Sequence, residues 1–178
     1  MTSQQSLDDV LELAKRSGSV DACLRGLAEK LNPEFPVDRI IVGLVHPDGE
    51  RLVLLGVWGS TTTQFRIGAT VRLTATVFHR LRDEGEPRVN GSGIRVEEMP
   101  LVEQVLWLEG MRSTVSLPLR RQDGSTVGIL VFSSESEDVM SRHLLLFETI
   151  GLLFEETLVR LGQAQLQDEL RVESLAAD

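Results

Sequence analysis

Two strand–turn–strand signatures constrain this chain more than any other feature. Arg39 to Val45 is apolar and β-branched, His46-Pro47-Asp48-Gly49 carries turn chemistry, and Arg51 to Trp58 returns as a second apolar strand. The plan recurs further on. Ser113 to Arg120 places Val115, Leu117 and Leu119 on one face and Thr114, Ser116 and Pro118 on the other. Gln122-Asp123-Gly124-Ser125 then turns the chain into a strand at Thr126 to Ser133. Two hairpins imply an antiparallel sheet whose apolar surface helices must cover.

Helical periodicity supplies the cover. Leu7, Val10, Leu11 and Ala14 share one face of a helix over Ser6 to Lys15, with Ser6 as its N-cap and Gly18 after its end. A second helix starts at Ser19 or Val20 and aligns Cys23, Leu24, Leu27, Ala28 and Leu31; Asn32-Pro33 and Pro36 stop it. From Val139 a long helix carries Leu144, Leu145, Leu146, Phe147, Ile150, Leu152, Leu153, Phe154, Leu158 and Leu161. This density predicts burial on most sides. After Gly162 only Leu166, Leu170 and Leu175 remain, a thin stripe suited to a two-helix seam.

The stretch from Gly59 to Gly110 is irregular. A short strand fits within Phe65 to Leu73, a helix at Thr74 to Arg82, a brief strand at Pro87-Arg88-Val89, and a helix at Met99 to Glu109. The predicted architecture is α+β: a central antiparallel sheet, terminal helices on one face, and the middle segment over a pocket on the other. Three regions are expected: an N-terminal helix at 1–18, a domain at 19–161, and a helical linker at 162–178 leading toward an output domain.

Composition narrows the function classes. The net charge of -9 opposes a phosphate backbone or an anionic bilayer, so no nucleic-acid or membrane partner is expected. One cysteine, Cys23, provides neither an internal disulfide nor a cysteine metal cluster and reads as a buried small hydrophobe. Met1 to Asp9 lacks the basic start and apolar core of a signal peptide, and no apolar run reaches the ~20 residues that span a bilayer. A reducing cytoplasm is the expected location.

The segment Gly110-Met111-Arg112-Ser113-Thr114-Val115-Ser116-Leu117-Pro118-Leu119-Arg120, followed by Asp123-Gly124-Ser125-Thr126-Val127-Gly128-Ile129-Leu130-Val131-Phe132, resembles the second hairpin of the GAF family of sensory domains. The likeness extends from about Val20 to Leu161 and implies the GAF fold. Bilin-holding relatives attach the pigment through a cysteine in the middle or later segment, whereas Cys23 precedes the first hairpin. Relatives that reduce free methionine sulfoxide depend on several cysteines. The cyclic-nucleotide pattern Phe-x-x-x-Asp-Glu is displaced here, with Phe78 five residues before Asp83.

The expected site follows from the pocket. Trp58, Phe65, Phe78 and Trp107 are its candidate apolar walls, with core packing as their alternative role. Thr114 and Ser116 are polar groups on an otherwise apolar strand and need partners. Arg112 suits either an acidic ligand or a structural salt bridge. His46 reads as a solvated turn residue, His79 as part of the pocket roof and His143 as a helix start, so neither metal nor cofactor is expected. Gly-x-Ser-x-Gly is absent, and Ser113, Ser116, Ser133 and Ser134 have no histidine tied to them by sequence. The expectation is a small-molecule-sensing regulatory domain without catalysis, homodimeric through its terminal helices and part of a transcriptional regulator or histidine kinase. The alternative is a dimerisation scaffold whose pocket is filled by its own side chains.

Overall fold

In the computed structural model, the two hairpins pair with each other and extend into one six-stranded antiparallel sheet of order β3-β2-β1-β6-β5-β4. The structure describes residues 3–32, 34–59 and 64–177. Pro33, read above as a helix stop, lies outside the described residues, as do the side chains of Ser6 and Leu7. The strands are β1 (Arg39–Val45), β2 (Arg51–Gly59), β3 (Thr70–Arg72), β4 (Arg88–Asn90), β5 (Ser113–Arg120) and β6 (Thr126–Ser134). The helices are α1 (Ser3–Arg16), α2 (Val20–Leu31), α3 (Phe78–Glu84), α4 (Leu101–Leu108), α5 (Val139–Arg142) and α6 (Leu144–Ala176).

Local chemistry explains most boundaries. Ser19 caps α2, its Oγ accepting from the Ala22 amide at 3.1 Å. Gly85 closes α3 in the left-handed conformation, at φ 72°. α1 begins at Ser3, so Ser6 lies inside the helix rather than capping it.

Strand alternation divides the core in two. One cluster joins Ile40, Val42 and Leu44 of β1, Val115, Leu117 and Leu119 of β5, and Leu130 and Phe132 of β6 to α1, α2, α5 and α6. Here the Phe132 and Phe147 rings lie 5.0 Å apart. The second cluster packs Ile41, Leu52, Leu54, Ile129 and Val131 against Phe65, Leu73, Val77, Phe78, Leu81, Leu106 and Met111 of the middle segment. The terminal helices therefore cover one face and the middle segment the other, as the sequence implied.

α6 departs from expectation in two places. Leu145 is 77% exposed and Leu152 64% exposed, so its first half presents an apolar line outward instead of being buried on most sides. Leu166, conversely, is 8% exposed and belongs to the helix-side core, with Leu170 packed beside it. These two leucines are therefore not free to form the seam expected of them, while Leu175 is exposed. Gly162 brings α6 close to the sheet: a Cβ there would meet Leu44 Cδ1 at 2.8 Å and Leu55 Cδ1 at 3.1 Å. Among the described residues no helix is long and apolar enough to cross a membrane.

Candidate ligand recess

Register assembles a polar row that no single segment contains. Arg39 of β1 pairs with Ser133 of β6, Ser133 with Thr114 of β5, and Thr114 with Asn90 of β4. All four are buried, and Thr114 Oγ1 donates to Ser133 Oγ at 3.2 Å. α4 lies over this row and reaches down to it with two acidic side chains. Near its start, Glu103 Oε2 accepts from Asn90 Nδ2; at its C-cap, Glu109 Oε2 accepts from Arg39 Nη1. Glu109 Oε1 also accepts from the Gln64 amide at 2.8 Å.

Beside the first of these pairs lies a recess lined by Asn90, Met99, Glu103, Trp107, Met111, Arg112 and Thr114. The centre of a water-sized sphere moves there through about 10 Å³, close to the smallest space that holds one water. Asn90 is 4% exposed and Glu103 5% exposed, yet Asn90 Oδ1 and Glu103 Oε1 have no hydrogen-bond partner. Arg88 stands two residues before Asn90 on the same strand face and likewise leaves a buried Nε unpartnered. Burial pushes the Glu103 carboxyl up to about 7, against the opposing influence of Arg88 and then Arg80.

The predicted site residues divide around this recess. Trp107, Arg112 and Thr114 line it. Ser116 is buried one row away, opposite Arg88. Phe65 and Phe78 are core residues of the second cluster, packed with Leu106 and Met111 on the face where a pocket was expected. Trp58 packs on the opposite, helix-covered face. The physical reason is a β-bulge: Val42 pairs with Gly56 but Gly43 pairs with Leu54, leaving Leu55 extra. That one residue reverses the alternation, so Trp58 shares the face of its partner Ile40. Among the described residues Arg112 forms no salt bridge to a glutamate. Its Nη1 donates to the Trp107 carbonyl at 2.8 Å, and its guanidinium lies 4.5 Å from the centre of the Trp107 ring.

The remaining candidates are held elsewhere. His46 is not solvated: its Nδ1 lies 2.9 Å from Asp48 Oδ2 within the first turn, and Arg51 is beside it. His79 contacts the Phe78 ring and His143 the Phe35 ring. Ser113 Oγ accepts from the Met140 amide at 2.9 Å, and Ser134 Oγ donates to Asp38 Oδ2 at 3.2 Å. Cys23 is buried, which pushes its thiol up to about 11. The sequence reading missed Glu103, Asn90, Arg88, Arg39 and Glu109. One signal was present: Glu103 precedes the inward Leu106 by three residues, which places both on one helix face.

No family model matches the sequence, and no curated protein matches it. Solved structures do match, and they identify the fold as GAF-like. The GAF domain of a two-component sensor histidine kinase from Bacillus halodurans superimposes with a TM-score of 0.65 at 18% identity, covering 85% of this chain and 99% of that one. A GAF domain from A. aeolicus in an inactive state gives 0.61 at 12% identity, covering 91% and 96%. Free methionine-R-sulfoxide reductase from Neisseria meningitidis, in complex with its substrate, gives 0.65 at 19% identity, covering 90% of both chains. Reductases of this type recur among the matches. The expectation of a domain without catalysis, drawn from absent motifs, is therefore corrected: enzymatic function is open to this chain. The same scaffold serves enzymes as well as sensory domains, because function resides in sites grafted onto a fold.

Proposed function

We propose that the chain is a regulatory sensory domain that reads a small molecule in the recess beneath α4. One observation supports this reading: Asn90 and Glu103 both line the recess beneath α4, and each carries a buried oxygen without a hydrogen-bond partner in the protein. Buried polar groups are normally satisfied, and each one left open costs about 1–3 kcal/mol, so a ligand that completes them gains affinity there. α4 is the element such a ligand would displace. Glu109 ties the far end of that helix to Arg39 in the centre of the sheet. A shift of α4 would thus reach β1 and β6, whose other faces bear on the terminal helices.

In this reading the domain works in the cytoplasm as a homodimer joined by its terminal helices. Exposed Leu145 and Leu152 supply the apolar contact, and α6 passes the change to an output domain of a transcriptional regulator or histidine kinase. Ligand preference for one helix arrangement would shift the balance between two dimer states. A second reading has its own support. The middle segment packs so fully against the sheet that the domain would also serve as a scaffold with no ligand.

Native mass spectrometry of gently purified protein separates the two. A dimer carrying an additional small mass is expected of the sensor. A dimer of bare chains that gains no mass from a metabolite extract would favour the scaffold, and a monomer would remove the dimeric part of both.

A further inference from the structure

The exposed apolar line of α6 is short. Leu145 is 77% exposed and Leu152 64%, but the next residues at the same spacing, Val159 and Leu166, are 6% and 8% exposed and pack into their own domain. Two leucine layers therefore stand free, centred between Glu148 and Thr149. A parallel coiled coil needs such a line to continue through further heptads, and here it stops. Beside Leu152 the free face opens into a groove of about 710 Å³ between α6 and the β5–β6 turn.

The exposed charges follow an order. From Glu135 to Arg160 they are Glu135 and Glu137, then Arg142 on the last turn of α5, then, beyond the two leucines, Glu156 and Arg160. Arg121 adds a second guanidinium beside Arg160 on the lining of the groove. None of these six side chains forms a salt bridge among the described residues. The face thus reads negative, positive, two leucines, negative, positive. Turned end for end, the same pattern sets every charge against its opposite. Laid parallel, it sets every charge against its own kind.

Resting on the reading that α6 joins two copies of the domain, we propose that the second copy lies antiparallel across this face, with Leu145 of each copy against Leu152 of the other. Arg142 then meets the second copy's Glu156, and Arg121 and Arg160 meet its Glu135 and Glu137. Half-buried Glu148 lies between the leucines, and this register sets it beside Thr149 of the second copy instead of its own counterpart. The two α6 helices leave the contact in opposite directions, each along its own sheet.

Distances between the copies separate the two arrangements. Ala164 is exposed on α6 outside the leucine line, and Cys23, the chain's own cysteine, is fully buried, so a nitroxide reagent labels Ala164→Cys selectively. Double electron–electron resonance on the whole labelled chain should give about 45–50 Å for antiparallel copies, at ~1.5 Å per residue from the centre of the contact. Parallel helices with axes about 8–10 Å apart would give less than about 20 Å. A charge exchange provides an independent reading. Arg142→Glu and Glu156→Arg should each weaken the dimer about tenfold in sedimentation equilibrium, because the contact occurs twice about the two-fold axis, and together they should restore it. In a parallel dimer these positions lie about 20 Å apart along the helices, and the double variant would be no tighter than the single ones. A short distance, single variants that dimerise as well as wild type, or a double variant without rescue each overturn the antiparallel arrangement while leaving the dimer in place. A wild-type chain that stays monomeric overturns it together with the dimeric part of the sensory reading. The charge exchange decides the matter by itself if the labelled chain does not fold.

Discussion

Replacing Glu103 by glutamine should change how the stability of this domain depends on pH. The carboxyl sits under α4 at 5% exposure, held by Asn90 Nδ2 and facing Arg88 and Arg80 without a hydrogen bond to either. Burial raises it from its ordinary 4.5 to about 7. Below pH 4.5 the group is protonated in both folded and unfolded chains, and its burial carries no ionisation penalty. Between 4.5 and 7 the folded chain retains a proton that the unfolded chain has released. Above 7 both are ionised, and the folded state carries the full cost of a buried carboxylate. Stability linked to Glu103 is thus fully present at low pH and lost as pH rises through 7. At 1.36 kcal/mol per pH unit the difference amounts to about 3 kcal/mol. For a domain of this size that corresponds to roughly 6–12 °C in Tm. Glutamine keeps the shape and cannot ionise. Urea denaturation of both proteins from pH 4.5 to 8.5 should show the gap between them moving in favour of Glu103→Gln by about 3 kcal/mol across that range. Every other titrating group is common to both proteins and cancels in the comparison. Parallel curves would refute the burial of an ionisable group at this position.

Further outcomes follow from the packing. Leu166→Ala should cost about 2–4 kcal/mol in urea unfolding, because the side chain belongs to the helix-side core, whereas Leu175→Ala should stay within about 0.5 kcal/mol. Arg39→Met alone should cost about 3–5 kcal/mol by leaving Glu109 without its cation, and Arg39→Met with Glu109→Leu should recover much of that; strict additivity in the double-mutant cycle would deny the coupling. Gly162→Val should lower stability by about 1–3 kcal/mol, since the added carbons meet Leu44 and Leu55, and a Tm equal to wild type would mean α6 does not approach the sheet so closely. If the proposed dimer forms through Leu145 and Leu152, Leu145→Glu with Leu152→Glu should halve the mass seen by light scattering while changing monomer stability by no more than about 0.5 kcal/mol per site; a wild-type monomer would refute the dimer, and an unchanged dimer would place its contact elsewhere.

The hairpins, the flanking helices and the GAF-like arrangement were legible because they are written in short-range patterns. Alternation in Ser113–Arg120 states which residues share a face, Asp48-Gly49 and Asp123-Gly124 mark the turns, and Ser19 marks a helix start wherever the segment ends up. Tertiary structure alone decided the rest, for reasons of register, parity and coverage. The polar row joins residues from four strands, so it exists only once β1, β6, β5 and β4 lie side by side. A single bulged residue in β2 turned Trp58 away from the site, since a period of two reverses with every insertion. Leu145, Leu152 and Leu166 belong to one helix and are equally apolar. Leu145 and Leu152 lie roughly opposite the fully buried Phe147 and Phe154 on the same turns of α6, so which apolar residues are covered depends on how the assembled layers seat the helix. Glu103 looked like an ordinary helix carboxylate until α4 was laid over Asn90, because a charged side chain declares its burial only through what surrounds it.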